Sequence, residues 1–399
     1  MLYAASLLAL SATASAINLF VSDYSGNVTT LSLESSNGNY SLTKTHASDG
    51  CFPNPSWLEI DAANGLLYCS NEGLETVNGS LSTFSIARDG SISLIQNTTT
   101  ISGPVSSTIY GDPSGRKALA LAHYTGSAVS TYLLDPFTPG NISLSQEFTY
   151  TLDHPPPTER QLTPHPHEIF TDPTGEYLLV PDLGADLVRI FCYDSETLKL
   201  TPTAPLKVPA GSGPRHGVFY NPSGFVGGAT YFYLVSELTA KVTSYAVTYL
   251  PHNKGLEFKE MTSVGTSFLF NIPEQGAPAE IAISPDNRFL VISNRNTTAF
   301  TLPLDGGVSD SLSTWALKDD GSFRFHQLWP TGGEWPRHFS MNAVGNFVAV
   351  GNQNSQSVVI LERDVQSGLV GEPVAKITLG GNVTTVVWDE RSALGRLGS

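Results

Sequence analysis

One unit recurs along almost the whole chain, and this repetition restricts the fold more than any other feature. Each copy opens with a proline-containing loop and a short apolar strand. A turn carrying Asp or Asn with Gly follows, and then a strongly apolar strand. Six such turns are legible: Asp61-Ala62-Ala63-Asn64-Gly65, Asp112-Pro113-Ser114-Gly115, Asp172-Pro173-Thr174-Gly175, Asn221-Pro222-Ser223-Gly224, Ser284-Pro285-Asp286-Asn287 and Asn342-Ala343-Val344-Gly345. Proline presets φ and the Asp or Asn side chain closes the turn, so each reads as a hairpin connection. A third strand then alternates polar with apolar residues, as in Ser80-Leu81-Ser82-Thr83-Phe84 and Lys241-Val242-Thr243-Ser244-Tyr245. Such alternation predicts one solvent-facing side.

The turns return about every 50 to 60 residues, enough for a four-stranded sheet with its loops. A further third strand, Asn27-Val28-Thr29-Thr30-Leu31, stands near the N-terminus behind Asn18-Leu19-Phe20-Val21, with no first strand of its own. An orphan strand, Val383-Thr384-Thr385-Val386-Val387, ends the repeat at the other terminus. The fold class expected is therefore all-β, a seven-bladed β-propeller with N-/C-terminal strand closure. A β-sandwich would not require units this regular. The 36 Gly, 26 Pro and only 14% charged residues suit many short strands joined by turns.

Leu2 to Ala14 is uncharged and apolar, and Ala14-Ser15-Ala16 has the small-x-small form of a cleavage site, although no Lys or Arg precedes it. Residues 1–16 are read as a signal peptide, 17–390 as the propeller and 391–399 as a flexible tail. Sequons at Asn27, Asn39, Asn78, Asn97, Asn141, Asn296 and Asn382 agree with a secreted, extracellular or cell-wall glycoprotein. A net charge of −15 repels phosphate backbones, so nucleic acid is excluded as a partner, and no apolar run after the leader is long enough for a membrane span. Cys51 and Cys69 could bridge in an oxidising compartment, which leaves Cys192 as a small buried hydrophobe.

In an antiparallel blade, the start of the innermost strand and the end of the second share one rim. Polar residues gather at both positions. Strand starts carry Pro164-His165-Pro166-His167-Glu168, Gly213-Pro214-Arg215-His216, Pro278-Ala279-Glu280 and Pro336-Arg337-His338. Second-strand ends carry Asn71-Glu72, His123-Tyr124, Asp182-Leu183-Gly184, Ser236-Glu237, Asn294-Arg295 and Asn352-Gln353. Arginines, histidines and carboxylates around one channel mouth suit an anionic substrate with acid/base chemistry, or else merely solvate the opening. His165, His167 and Glu168 resemble a partial metal-ligand set, but the neighbouring arginines oppose a dication, so no metal or other cofactor is expected. No Gly-x-Ser-x-Gly or phosphate-cradling loop occurs.

The stretch from Glu159 to Glu168, followed by Asp172-Pro173-Thr174-Gly175 and Pro181-Asp182-Leu183-Gly184-Ala185-Asp186, resembles the signature of the seven-bladed propeller lactonases. That family includes bacterial-type 6-phosphogluconolactonases and fungal 3-carboxy-cis,cis-muconate lactonizing enzymes. Gly213-Pro214-Arg215-His216, Ser236-Glu237-Leu238, Ser293-Asn294-Arg295 and Pro336-Arg337-His338-Phe339 continue the likeness. The resemblance implies a metal-independent lactonase or muconate-type cycloisomerase acting on a small anionic lactone or carboxylate. It implies His167 and Glu237 as the acid/base pair and Arg215 and Arg295 as anion holders. His338, Gln353, Glu72 and Asp182 complete the substrate-binding set. Departures are Pro104-Val105-Ser106, Ala122-His123-Tyr124 and the charged Glu168. Export removes the protein from the cytosolic metabolites of those enzymes, so the second reading is an inactive secreted propeller that binds carbohydrate or a protein partner.

Overall fold

The fold, obtained as a computed structural model, is described for residues 16–112, 115–153, 155–267, 276–302 and 307–391. Seven main sheets succeed one another along the chain, each with its strands in sequence order except the one that closes the ring. In that closing blade Val383–Asp389 pairs with Ala16–Asp23, followed outward by Val28–Ser36 and Asn39–Ser48. The register runs antiparallel from Asn18 opposite Asp389 to Val21 opposite Val386. The far end of the chain thus supplies the missing first strand, as expected from the orphan segments. The signal-peptide reading lies outside the described residues apart from Ala16, as does the tail apart from Arg391.

The second strands explain why the blades stack. Leu66 and Tyr68 pack toward the second blade, whereas Leu67 and Cys69 pack toward the closing blade. Both faces are covered, so these strands read as continuous apolar runs. Seven apolar clusters result, one for each contact between neighbouring blades. The same geometry corrects the reading of the third strands. Ser82, Thr83, Ser130, Thr131, Ser244, Ser313 and Thr314 are buried, because another blade covers the face that alternation assigned to water. Alternating exposure appears one strand further out, as in Asn39–Ser48.

Hydroxyls stitch the inner strands together around the channel. Thr384 Oγ1 donates to Pro55 O at 2.8 Å, Thr385 Oγ1 to Ser56 O at 2.7 Å and Ser56 Oγ to Pro104 O at 2.7 Å. Cys51 and Cys69 form a disulfide that ties the linker into the first blade to that blade's second strand. Cys192 is free and half-buried rather than buried.

Innermost strands open at Pro55, Pro104, Pro214 and Pro336, and in each the register slips immediately after the proline. A similar slip lies between Pro278 and Ile281. Proline has no N–H for the ladder and is tolerated at a strand start or bulge. A bulge re-aims the side chain beside it. The residues at these slips include Arg215, Glu280 and Arg337, so one local rule of backbone chemistry places the rim side chains. In the third blade Pro164 and Pro166 shorten the inner strand to Phe170–Thr171, with Pro166 bridging Asp182 in isolation. His167 is held there by its own N–H, which donates to Pro181 O at 2.9 Å.

Candidate active site

The expected residues converge, with one exception. Glu237 is the hub: its Oε2 lies 2.7 Å from Arg295 Nη2 and its Oε1 2.8 Å from Arg160 Nη2. Arg215 Nε is 3.0 Å from Oε2 as an ion pair without hydrogen-bond alignment. Glu237 N–H donates to Gly213 O at 2.7 Å, and Gly213 has φ of 62°. A Cβ on Gly213 would lie 2.5 Å from Leu238 Cγ, so glycine is needed for this approach. Burial by itself would raise the Glu237 carboxyl, but Arg295, Arg215 and Arg160 overcome it and hold it at about 2. A carboxylate so poised does not exchange protons near neutrality. The three guanidiniums around it give Glu237 the geometry of a charge clamp on the arginines, beside the acid/base role that the resemblance implies.

A second cluster lies beside it. His167 Nδ1 is 3.2 Å from His216 Nε2, and His216 Nδ1 is 3.1 Å from Glu280 Oε1. His338 Nε2 lies 3.5 Å from Glu280 Oε2. Burial first, and then Arg215, push His167 well below the usual imidazole range, so it is neutral at pH 7. Burial likewise lowers His216 to about 4, against the pull of Glu280. Glu168, whose charge looked anomalous in the sequence, is raised well above the carboxylate range by burial and by Glu280. A third group joins three blades: Arg337 Nη2 donates to Glu72 Oε1 at 2.9 Å, and Arg337 Nη1 to Tyr24 Oη at 2.6 Å.

Asp182 is the exception. It is fully buried, and its oxygens accept from His165 N–H at 2.6 Å, Ala185 N–H at 3.0 Å and the Arg189 guanidinium at 2.7 Å. It anchors the His165–His167 segment instead of facing a substrate. His338 lines this site, and Gln353 is buried with its N–H donating to Trp335 O at 2.8 Å. Sequence reasoning passed over Tyr24, Trp57 and Trp335. Tyr24 follows the second strand of the closing blade, the repeat position that also yielded Glu72, Tyr124 and Glu237. Trp335 precedes a strand-opening proline with φ of 62°, a left-handed conformation that Gly103 and Gly213 adopt at the equivalent places. Its N–H donates to Asp310 Oδ2 at 2.7 Å, and its ring lies 5.4 Å from the Arg295 guanidinium.

Glu168, His216 and Glu280 offer ligand atoms within 4.8 Å of one another, a spacing open to a cation. Two of the three donors are already bonded to each other, and the Arg215 guanidinium acts electrostatically on Glu280. The set fits a proton better than a dication. Beneath the mouth, His167, Arg215, His216, Arg337, His338 and Trp57 line a cavity of about 10 Å³, barely the size of one water. Any organic ligand must therefore sit above it.

The match to a family model described as lactonase, 7-bladed beta-propeller, runs over residues 15–388. The chain belongs to this lactonase family. Among its lactonase relatives, a probable 6-phosphogluconolactonase of Arthroderma benhamiae is 29% identical over 90% of this chain and 85% of its own length. A 6-phosphogluconolactonase of Formosa agariphila is 29% identical over 82% of this chain and 87% of its own. The periplasmic gluconolactonase of Pseudomonas aeruginosa superposes with a TM-score of 0.76 at 25% identity, covering 94% of this chain and 99% of that one. Among the described residues no helix is long and apolar enough to cross a membrane.

Proposed function

We propose that this protein hydrolyses a small, unphosphorylated sugar-type lactone at the channel mouth, and does so outside the cell. One observation carries the reading: a buried, neutral His167 stands among arginines whose charge is almost fully matched. The cations Arg160, Arg215, Arg295 and Arg337 face the carboxylates Glu237, Glu72 and Glu280, leaving roughly one positive charge. That suits a neutral ester that becomes an oxyanion, or a monoanion, better than a phosphate dianion.

The chemistry follows from these groups. His167 takes a proton from water as the water oxygen attacks the lactone carbonyl, and Arg215 and Arg295 stabilise the tetrahedral oxyanion. Collapse breaks the ring C–O bond, and the proton on His167 passes to the departing alkoxide, giving the hydroxy acid. Lactonization of a muconate needs a proton delivered to carbon, and His167, held neutral by burial and by Arg215, carries no extra proton at rest to deliver. The disulfide between buried Cys51 and Cys69 supports an oxidising compartment, and Asn39, Asn78, Asn97 and Asn141 are exposed sequons.

Turnover measured on glucono-δ-lactone, its 6-phosphate and 3-carboxymuconate tests the reading. The unphosphorylated lactone should have the highest kcat/KM. Preference for the phosphate would refute the charge argument, and no turnover of any of them would favour a binding propeller.

A further inference from the structure

We infer that Glu280 and His216 are positioning residues that fix His167 as the Nδ1–H tautomer, leaving Nε2 bare as the base. The inference rests on the hydrolytic reading for its function, but its geometry stands apart from any substrate.

The argument starts at the carboxylate. Glu280 Oε1 accepts the Ile281 N–H at 2.9 Å and faces His216 Nδ1 at 3.1 Å. An ionised carboxylate only accepts, so His216 Nδ1 carries the proton. Burial alone would raise Glu280, but His216 and His338 bring it down to about 2, which keeps it ionised. A neutral His216 with Nδ1–H has a bare Nε2. The group facing that lone pair at 3.2 Å is His167 Nδ1, which must then be the donor. In a neutral imidazole the remaining nitrogen, His167 Nε2, is unprotonated.

The neighbours leave little freedom to reverse the chain. His338 Nδ1 accepts the Val386 N–H at 3.4 Å, so its proton is on Nε2, toward Glu280. Glu168 Oε2 accepts the Gly217 N–H at 2.7 Å, and its Oε1 is 3.8 Å from His216 Nδ1. Glu280 Oε1, at 3.1 Å, is the nearer carboxylate oxygen to His216 Nδ1, and burial disfavours charge on Glu168. Trp57 and His338 wall the rings in, with centroids 6.0 Å and 5.2 Å from Trp57 to His216 and His338. An orienting carboxylate behind an imidazole base is a recurrent catalytic device, and loss of its charge costs rate through the wrong tautomer. Here a second imidazole extends it by one link.

The test uses the full chain with its disulfide intact and ¹⁵N-labelled histidine. The wild-type spectrum should show both His167 and His216 as Nδ1–H tautomers. Glu280→Gln should shift His167 away from that form and lower kcat for glucono-δ-lactone about 10²-fold or more, with KM changed less than about threefold. His216→Phe keeps a ring and removes the link, and should reproduce the kcat loss. An Nε2–H tautomer of His167 in the wild type overturns the inference whether or not a lactone is turned over. So does a Glu280→Gln protein with unaltered tautomer. Absence of turnover together with the expected tautomers would instead count against the hydrolytic reading alone.

Discussion

Arg295 Nη2 and Glu237 Oε2 lie 2.7 Å apart inside a rim where both side chains are nearly buried. The contact makes Glu237 part of the cationic apparatus. Glu237→Gln should therefore loosen the arginines and lower stability by about 3–5 kcal/mol, the usual cost of breaking a buried pair. Thermal melts would register the loss. A variant that keeps its melting temperature would remove Glu237 from this role.

His167 should govern the rate. His167→Ala is expected to reduce kcat about 10²- to 10⁴-fold with the fold intact, as befits a lost general base. Because the imidazole is neutral far below pH 6.5, kcat/KM should stay level from pH 8 down through 6 and fall only in more acid solution. Arg215, His216, Arg337 and Arg295 act on this ring and set that limb, with the Tyr124 ring packed edge-on against it. Chelators should leave the rate unchanged.

Stability should decline with acid in two stages. Buried His123 and His216 have folded values near 4, below their unfolded range. Their neutral forms are native, so the unfolded chain gains protons first and stability falls as pH drops from about 6.5 toward 4. Glu237 and Glu280 sit at about 2, so their contribution is present above about 4.5 and is lost as pH falls from there toward 2. Urea titrations at stepped pH would resolve both stages, and Glu237→Gln should blunt the second.

Trp335 offers a separation of binding from folding. A bulky residue in the left-handed region costs about 1–3 kcal/mol. Trp335→Gly should relieve that strain and leave the melting temperature unchanged or higher, while KM rises as the ring beside Arg295 disappears. Equal KM in the two proteins would show that the ring does not meet the substrate.

Secreted material should begin near Ile17, lose mass on endoglycosidase treatment and expose one thiol when unfolded without reductant. Cys51→Ala with Cys69→Ala should cost about 3 kcal/mol, the entropy of the freed loop. Retention of Met1 without glycan would place the protein inside the cell.

The ring was legible because its cause is periodic: proline, turn and apolar strand return in every unit, and closure follows from an incomplete first copy. The rim was legible for the same reason. What the chain order hid is which charges meet. Glu237 looks like a free acid until Arg160, Arg215 and Arg295 arrive from three other parts of the chain. Asp182 looks like its equals at second-strand ends, yet prolines at 164 and 166 remove ladder donors and turn it inward to hold backbone. The third strands misled because alternation of Ser and Thr signals water only where no second sheet covers them.

The closing strand gives the pocket a birth order. Tyr24 stands in the closing blade, Glu72 in the first and Arg337 in the sixth, so this trio straddles the seam where residues 383–389 dock. A chain cut short of that docking keeps almost all its strands, but the two banks of the seam are no longer held together there. The site would then be complete only once residues 383–389 have docked, and any activity that depends on it would appear in a single step rather than by degrees.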